Sequence, residues 1–465
     1  MLYLATASPD TADAALAEGI TEELIVRLSR VDGLRVTSRF GALRYRARGA
    51  VDPRQVGREL GVRYVLQGTL RRARDRVRVS VEITDAIQGH NVWAATYDRP
   101  AEDVFAMQDS VAVQVASAVR GRLTIQERAR LAPRAPAVSP EAYQAYLRAR
   151  AAVRARTPSG IGHGVAQYRR AVTLDPTFGP AHAGLAQAYM LAAFWGADAP
   201  GLSADSLERL GHVAAVQALA LDSSSAESWL AAAMSVRNRD PGRGLDYHRR
   251  ALALDSTNVE ALHQLAWGLY AAGQLDSAIA TEQRVTARDP YYAYAYATMA
   301  DLLNVAGRPS EALAWVAQGL AIDSTHGALY GFRADACLRL ARVEEARAAV
   351  RQAVSLGFSV VAGRILLALA TLAEGDTTAA RVAVAVVADE LRAELARAPT
   401  GLTFFTAGFL SGGYAHLGVA DSAVAWARRV SIGQLRLNAV HFARHWLWQP
   451  LQGDPRFQAI LAGLR

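Results

Sequence analysis

Val259-Glu-Ala-Leu-His-Gln-Leu-Ala-Trp-Gly-Leu-Tyr-Ala-Ala-Gly-Gln-Leu-Asp-Ser-Ala-Ile-Ala-Thr-Glu-Gln-Arg-Val-Thr-Ala-Arg-Asp-Pro-Tyr-Tyr292 carries two helical patterns in succession. Leu262, Leu265, Ala266 and Leu269 recur at the three- and four-residue spacing of one helix face. Ala278 and Val285 belong to a second helix, which Pro290 ends. The unit repeats. Leu-Asp-Pro at 174–176 returns as Leu-Asp-Ser at 221–223 and 254–256, Arg-Asp-Pro at 288–290 and Ile-Asp-Ser at 322–324. The aspartates are 47, 33, 34 and 34 residues apart. Ala278 returns as Ala312 and Ala346, where a small side chain lets paired helices approach closely.

A 34-residue period of helix–turn–helix units is the tetratricopeptide repeat (TPR) signature. The long interval leaves about 13 extra residues near 194–206, expected as a loop or a lengthened helix. Beyond residue 357 the register fades, but helix-length apolar segments continue to Leu464. The predicted architecture is a small α/β domain (a mixed sheet with packed helices) over 1–125, a Pro-rich linker over 126–140, and an all-α TPR superhelical solenoid over 141–465. Three prolines between 133 and 140 mark the linker, because each removes a helix donor and extends its predecessor.

Within the first 125 residues, Leu2–Ala5 and Leu34–Thr37 are strand candidates, and Ala12–Arg30 has helical spacing with a stop near Asp32-Gly33. Pro53–Leu60 predicts a helix with proline in its first turn and Gly61 closing it. Tyr64–Leu70, Val77–Thr84 and Val92–Tyr97 predict three strands joined by hairpins at Arg74-Asp75 and Gln88-Gly89. The alternation in Val77–Ile83 marks a sheet with one wet face. Glu102–Leu123 closes the domain as an amphipathic helix.

The stretch from Ala17 to Val36 resembles the TolB-like amino-terminal (FlgO-related) domain, as do Val56-Gly-Arg-Glu-Leu-Gly-Val-Arg-Tyr-Val-Leu-Gln-Gly-Thr-Leu-Arg-Arg72, Arg76–Thr84 and Val92-Trp-Ala-Ala-Thr-Tyr-Asp-Arg99. The ending Trp448-Gln-Pro-Leu-Gln-Gly-Asp-Pro-Arg-Phe-Gln458 is similar to the usual ending of such proteins. The resemblance implies a domain preceding a TPR array, often downstream of a serine/threonine kinase, a nucleotide cyclase or a winged-helix domain in bacterial regulators. Members of that family enter the first strand after an upstream effector, whereas this sequence begins inside it at Leu2. A late start codon or a separate effector polypeptide would each account for that.

Composition excludes several classes. Cys337 is the single cysteine in 465 residues, so an internal disulfide or a thiolate metal cluster is excluded. No window approaches 18 continuous apolar residues, and the opening Met-Leu-Tyr-Leu-Ala reads as no signal peptide. A soluble chain is expected, in the cytoplasm, or in the periplasm if a membrane segment precedes it. All 51 basic residues are arginine, a bias that a GC-rich genome explains better than a demand for guanidinium at each site. The net charge of +8 therefore says little about nucleic acid, which is not an expected partner. Between Arg30 and Arg78, fourteen arginines face four carboxylates; phosphate contact is physically open there, but a solvated face is the simpler account.

Catalytic signals are absent. No His-Arg-Asp, Asp-Phe-Gly or glycine-rich phosphate loop with its lysine occurs. His441-Phe-Ala-Arg-His445 has metal-capable spacing but lacks a zincin glutamate and an evident third ligand, so two histidines on a helix face is the better reading. Gly160-Ile-Gly-His-Gly164 lacks the preceding strand of a phosphate loop. The Asp-Ser pairs recur with the repeat and read as helix boundaries. No catalytic residue, cofactor or metal is expected.

The TPR resemblance implies a concave face lined by positions 2, 5, 9, 12 and 13 of each unit. These are Met234, Arg237 and Asn238, then Glu260, His263, Trp267 and Tyr270, then Tyr294, Asp301 and Asn304. Aromatic anchors among amides and charges suit an extended protein or peptide ligand, with Trp267, Tyr270 and Tyr294 as anchors. The lysines of the chaperone-tail clamp are missing. The expected function is a non-catalytic interaction and sensory module. Alternatives are a detached regulatory half of a kinase or cyclase, and an envelope-associated assembly protein.

Overall fold

The structure, a computed structural model, describes residues 1–6, 11–29, 31, 33–46, 51–73, 76–100, 103–121, 123–131, 138–154, 156–195, 202–397 and 403–464. They form two compact units, Met1–Arg156 with His163–His182, and Thr157–Gly162 with Ala183–Arg465. Among them no helix is long and apolar enough to cross a membrane.

The first unit holds a four-stranded mixed sheet in the order β1-β2-β3-β4. β1 (Ala5–Thr6) pairs parallel with β2 (Tyr64–Ala73), and β3 (Arg76–Asp85) pairs antiparallel with β2 and with β4 (His90–Pro100). Val77, Val79, Val81 and Ile83 are buried on one face of β3, as the alternation predicts. On the wet face Arg76 and Arg78 both bond Asp98, at 2.8 and 2.6 Å, so part of the arginine-rich stretch is self-paired. The Arg74-Asp75 turn lies outside the described residues. Leu34–Thr37 forms no strand: Leu34 and Val36 are only half-buried and offer no core face to commit the segment to a sheet.

Three helices of the α/β domain follow the sequence reading. They are α1 (Thr11–Ser29), α3 (Pro53–Leu60) and α4 (Val104–Arg120); α2 (Arg39–Leu43) is a short extra turn. In α3 the Asp52 carboxylate accepts from Arg54 N, and Gly61 takes the left-handed conformation at φ 63°. Part of the expected linker is helical. α5 (Ile125–Leu131) starts in a reciprocal capping box, where Glu127 N donates to Thr124 Oγ1 and Thr124 N donates to Glu127 Oε2. Residues 132–137, which carry two of the linker prolines, lie outside the described residues.

The first helix of the array, α6 (Pro140–Arg154), belongs to the first unit and packs on α1. Gly19 leaves no room for a Cβ beside Leu147, which sets the close approach. Across this contact Arg154 reaches Glu22 at 2.5 Å and Glu18 at 3.2 Å, while Tyr3 donates to Glu22 at 2.9 Å. Burial would raise Glu22, but the guanidinium groups of Arg154, Arg39 and Arg150 outweigh it and hold the carboxyl below its ordinary value.

Helix pairs continue to the end. They are α7 (Pro158–Leu174), α8 (Gly179–Trp195) with α9 (Ala204–Leu221), α10 (Ala226–Val236) with α11 (Pro241–Leu254), and α12 (Val259–Ala271) with α13 (Leu275–Arg288). Next come α14 (Ala293–Val305) with α15 (Pro309–Ile322), α16 (Gly327–Arg339) with α17 (Val343–Ser355), and α18 (Val360–Ala373) with α19 (Thr377–Arg397). After a π-helical turn at Phe404–Gly408 follow α20 (Phe409–His416), α21 (Ala420–Ala427), α22 (Ile432–Leu437), α23 (Ala439–Arg444), a 3₁₀ turn (Trp446–Leu451) and α24 (Pro455–Ala462). The long interval is absorbed partly by α8 and α9, at 17 and 18 residues against 13 and 14 for α12 and α13.

The recurring aspartates join the pairs. Asp175, Asp222, Asp255 and Asp323 each accept from the backbone N–H and the hydroxyl two residues on, at Thr177, Ser224, Thr257 and Thr325. Gly273 and Gly307 hold the turn inside successive pairs at φ 77° and 80°, and the equivalent residue in the next pair is Ala341 at φ 56°.

Two outcomes are expected. Ala341→Gly relieves a left-handed alanine and stabilises the chain by about 1 kcal/mol, read from denaturant unfolding. Arg154→Ala leaves Glu22 buried without its main counter-charge, a loss of about 3 kcal/mol. Amides of α1 and α6 then exchange roughly a hundredfold faster, while those of α12–α15 keep their rates.

Candidate functional site

In the second unit α10 contacts α12 and α14 contacts α16, while α12 and α14 both meet α23, so these first helices of successive pairs make one face. The chain's own carboxyl-terminal segment lies on that face: α22 touches α9 and α12, and α23 touches α12 and α14. Gln434 Nε2 donates to the Ala193 carbonyl at 3.3 Å, and Gly433 leaves no room for a Cβ beside the Glu208 carboxylate.

The ten candidate residues divide into three groups. Trp267, Tyr270 and Asp301 come together beneath α23. The Tyr270 hydroxyl bonds His441 Nδ1, and His441 Nε2 lies 3.1 Å from Asp301 Oδ1. An imidazole protonated on Nε2 satisfies both, donating to Asp301 and accepting from Tyr270. Tyr270 is fully buried, and burial together with the Asp301 charge pushes its hydroxyl pKa well up. Trp267 is half-buried, with its ring edge-on to Tyr270 and Phe194 at 5.7 and 5.6 Å.

A second group forms a polar chain along the helices. Arg237 Nη1 donates to Gln264 Oε1 at 2.8 Å, Gln264 Nε2 donates to Glu260 Oε1 at 3.0 Å, and the Tyr292 hydroxyl donates to Glu260 Oε2 at 2.7 Å. Asn238 Nδ2 donates to Glu208 at 3.0 Å, and Met234 is buried. His263 Nδ1 lies 2.7 Å from Glu282 Oε1, both groups enclosed; burial raises the Glu282 carboxyl and His263 opposes it.

The remaining two point elsewhere. Tyr294 is half-buried against His326, with ring centroids 4.5 Å apart, and Asn304 Nδ2 donates to the Phe332 carbonyl at 3.0 Å.

Four residues outside the candidate set, Asp335, His441, His445 and Trp446, complete the site. Asp335 accepts from His445 Nε2 at 3.0 Å and from Trp446 Nε1 at 2.6 Å. Burial would raise Asp335, but these partners outweigh it and hold the carboxyl low. Asp335 lies 34 residues after Asp301, so carrying the repeat positions one unit further finds it. The i, i+4 spacing of His441 and His445 is one that a metal site can use. In the structure each imidazole meets an aspartate of a different repeat, and no group of metal-binding side chains occurs among the described residues.

Between this segment and α12, α14 and α16 lies a pocket with Phe194, Trp267, Phe332 and Phe405 in its walls and Asp301 and Asp335 among its polar groups. Behind α12, on α11, His248 is fully buried against Gly268, and neither ring nitrogen has a hydrogen-bond partner among the described residues.

Residues 269–333 match the tetratricopeptide repeat family model. A relative named putative adenylate cyclase 3, from Rhizobium meliloti (strain 1021), is 39% identical over 178 residues, or 38% of this chain. The match covers 30% of the cyclase's own length. Similar solved structures include the Cut9–Hcn1 hetero-tetramer of APC/C, 11% identical with TM-score 0.46, covering 78% of this chain and 63% of that one. Pseudomonas aeruginosa pilF is 18% identical with TM-score 0.37, covering 47% and 98%. YrrB, described as a TPR protein with an unusual peptide-binding site, is 19% identical with TM-score 0.27, covering 41% and 88%.

Burial, aided by the Arg237 charge, lowers the His248 pKa to about 3. Unfolding frees the ring to take a proton at its ordinary value near 6.5, so this group costs nothing above that pH and weakens the fold as pH falls from 6.5 toward 3. His248→Leu is expected to flatten stability against pH in that window by up to about 1.4 kcal/mol per pH unit, measured by urea unfolding at several pH values.

Proposed function

We propose that the chain is a non-catalytic interaction module that binds a protein or peptide through its TPR helices and serves a bacterial signalling system. The observation that carries this reading is the repeat itself: stacked helix pairs over 269–333 match the tetratricopeptide family, whose fold offers a helical surface spread over several units. The carboxyl-terminal segment occupies part of the face expected to take a ligand. The parts of the candidate set open to a partner are therefore Glu260, Trp267 and Tyr294, all half-buried. Trp267 and Tyr294 are its proposed aromatic anchors.

The partial likeness to an adenylate cyclase supports a regulatory setting, and with it the second reading, a regulatory portion of a cyclase or kinase system. The resemblance of residues 17–99 to the TolB-like domain fits the same setting.

Affinity capture with the whole chain, compared with Trp267→Ala/Tyr294→Ala, tests the proposal. A partner identified with the parent chain is expected to be retained at least about tenfold less by the double variant, which corresponds to about 1.4 kcal/mol. Equal retention would remove both residues from the binding surface. The purified chain is expected to form no cyclic AMP from ATP, and measurable turnover would overturn the non-catalytic reading.

A further inference from the structure

The pocket beneath the carboxyl-terminal segment combines half-buried aromatic rings with carboxylates, one of which uses only one of its two oxygens. His445 Nδ1 accepts the Leu447 N–H at 3.3 Å, and its Nε2 faces Asp335 at 3.0 Å. His441 lies between Tyr270 and Asp301 and bonds both. Asp335 uses both oxygens, one on His445 and one on Trp446, and feels the charge of Arg339. Asp301 uses only Oδ1; its Oδ2 makes no hydrogen bond among the described residues. The fully buried Trp448, which also lines the pocket, has an indole N–H without a partner there.

The cavity itself is small, about 20 Å³, on the order of a single water. A ligand head therefore requires the half-buried Phe332 ring to turn aside, since Phe405 is packed against Phe194, Trp195 and Phe409. Carboxylates repel an anion, and an apolar group would leave Asp301 unpaired. A cation meets both features, since aromatic faces attract positive charge and do so more strongly away from water.

We propose that this pocket binds an organic cation, an alkylammonium or guanidinium head, with Asp301 Oδ2 as counter-ion and the Trp267 and Phe405 rings as walls. The head arrives either on a basic side chain of a bound protein or as a free small molecule. The first source rests on the interaction reading above; the second stands without it.

The test is titration of the whole chain, followed by tryptophan fluorescence and calorimetry. One arm uses tetramethylammonium and its neutral analogue 3,3-dimethylbutan-1-ol. The other uses a short alanine peptide with one central arginine and the same peptide with citrulline. Saturable binding of the cations but not of the neutral probes is expected, weakened at least about tenfold by Asp301→Asn and by Trp267→Leu. Asp301→Glu, which keeps the charge, is expected to retain binding; together with unchanged thermal melts this separates lost charge from lost fold. Tighter binding of the arginine peptide assigns the head to a partner's side chain, and tighter binding of tetramethylammonium assigns it to a small molecule. No saturable binding of either cation, or equal binding by parent and Asp301→Asn, overturns the proposal. Neither arm needs a captured partner, so failure here leaves the interaction reading standing.

Discussion

Close approach of paired helices at small side chains is the constraint from which the array follows. Ala278, Ala312 and Ala346 are at most 1% exposed and 34 residues apart, each at the same contact in its pair. A larger residue there would force the helices apart and shift every later unit. Because the contact repeats, so do the faces: residues in step by 34 share one orientation, which is how Asp301 and Asp335 come to face the same segment. The carboxyl-terminal helices exploit this regularity. His441 within α23 and His445 just past its end each find a carboxylate on a successive unit.

The first unit rests on a different device. α6 is held to α1 by a buried network of two arginines and two glutamates, with a glycine letting the helices touch. A sequence boundary drawn at prolines therefore does not coincide with the boundary in packing. Prolines report where a helix cannot continue, whereas a compact unit is defined by what its side chains bury.

Local rules were legible. Asp52, Pro53 and Gly61 bracket α3 as their backbone preferences require, and the alternation of Val77–Ile83 places β3 correctly. The mixed sheet and the helical array were both readable from periodicity. Leu34–Thr37 failed because two apolar residues in four cannot show whether a sheet has a partner for them. Within the candidate site, repeat positions led to Trp267, Tyr270 and Asp301, which do meet. They could not show that residues 140 or more positions later would cover them, since His441 carries no mark in the sequence of the aspartate it bonds. The capping box of α5, Thr124 with Glu127, was present in the sequence and signals a helix that the prolines obscured.

A solenoid ordinarily tolerates change in copy number, because each unit touches only its neighbours and whole repeats can be gained or lost. The seating of the carboxyl-terminal segment removes that freedom here. Deleting one unit between Glu208 and Asp335 would keep the local turns intact, yet Gln434, His441 and His445 would no longer face Ala193, Asp301 and Asp335 together. Across the span that the segment bridges, the array is thus a closed length rather than an extendable one.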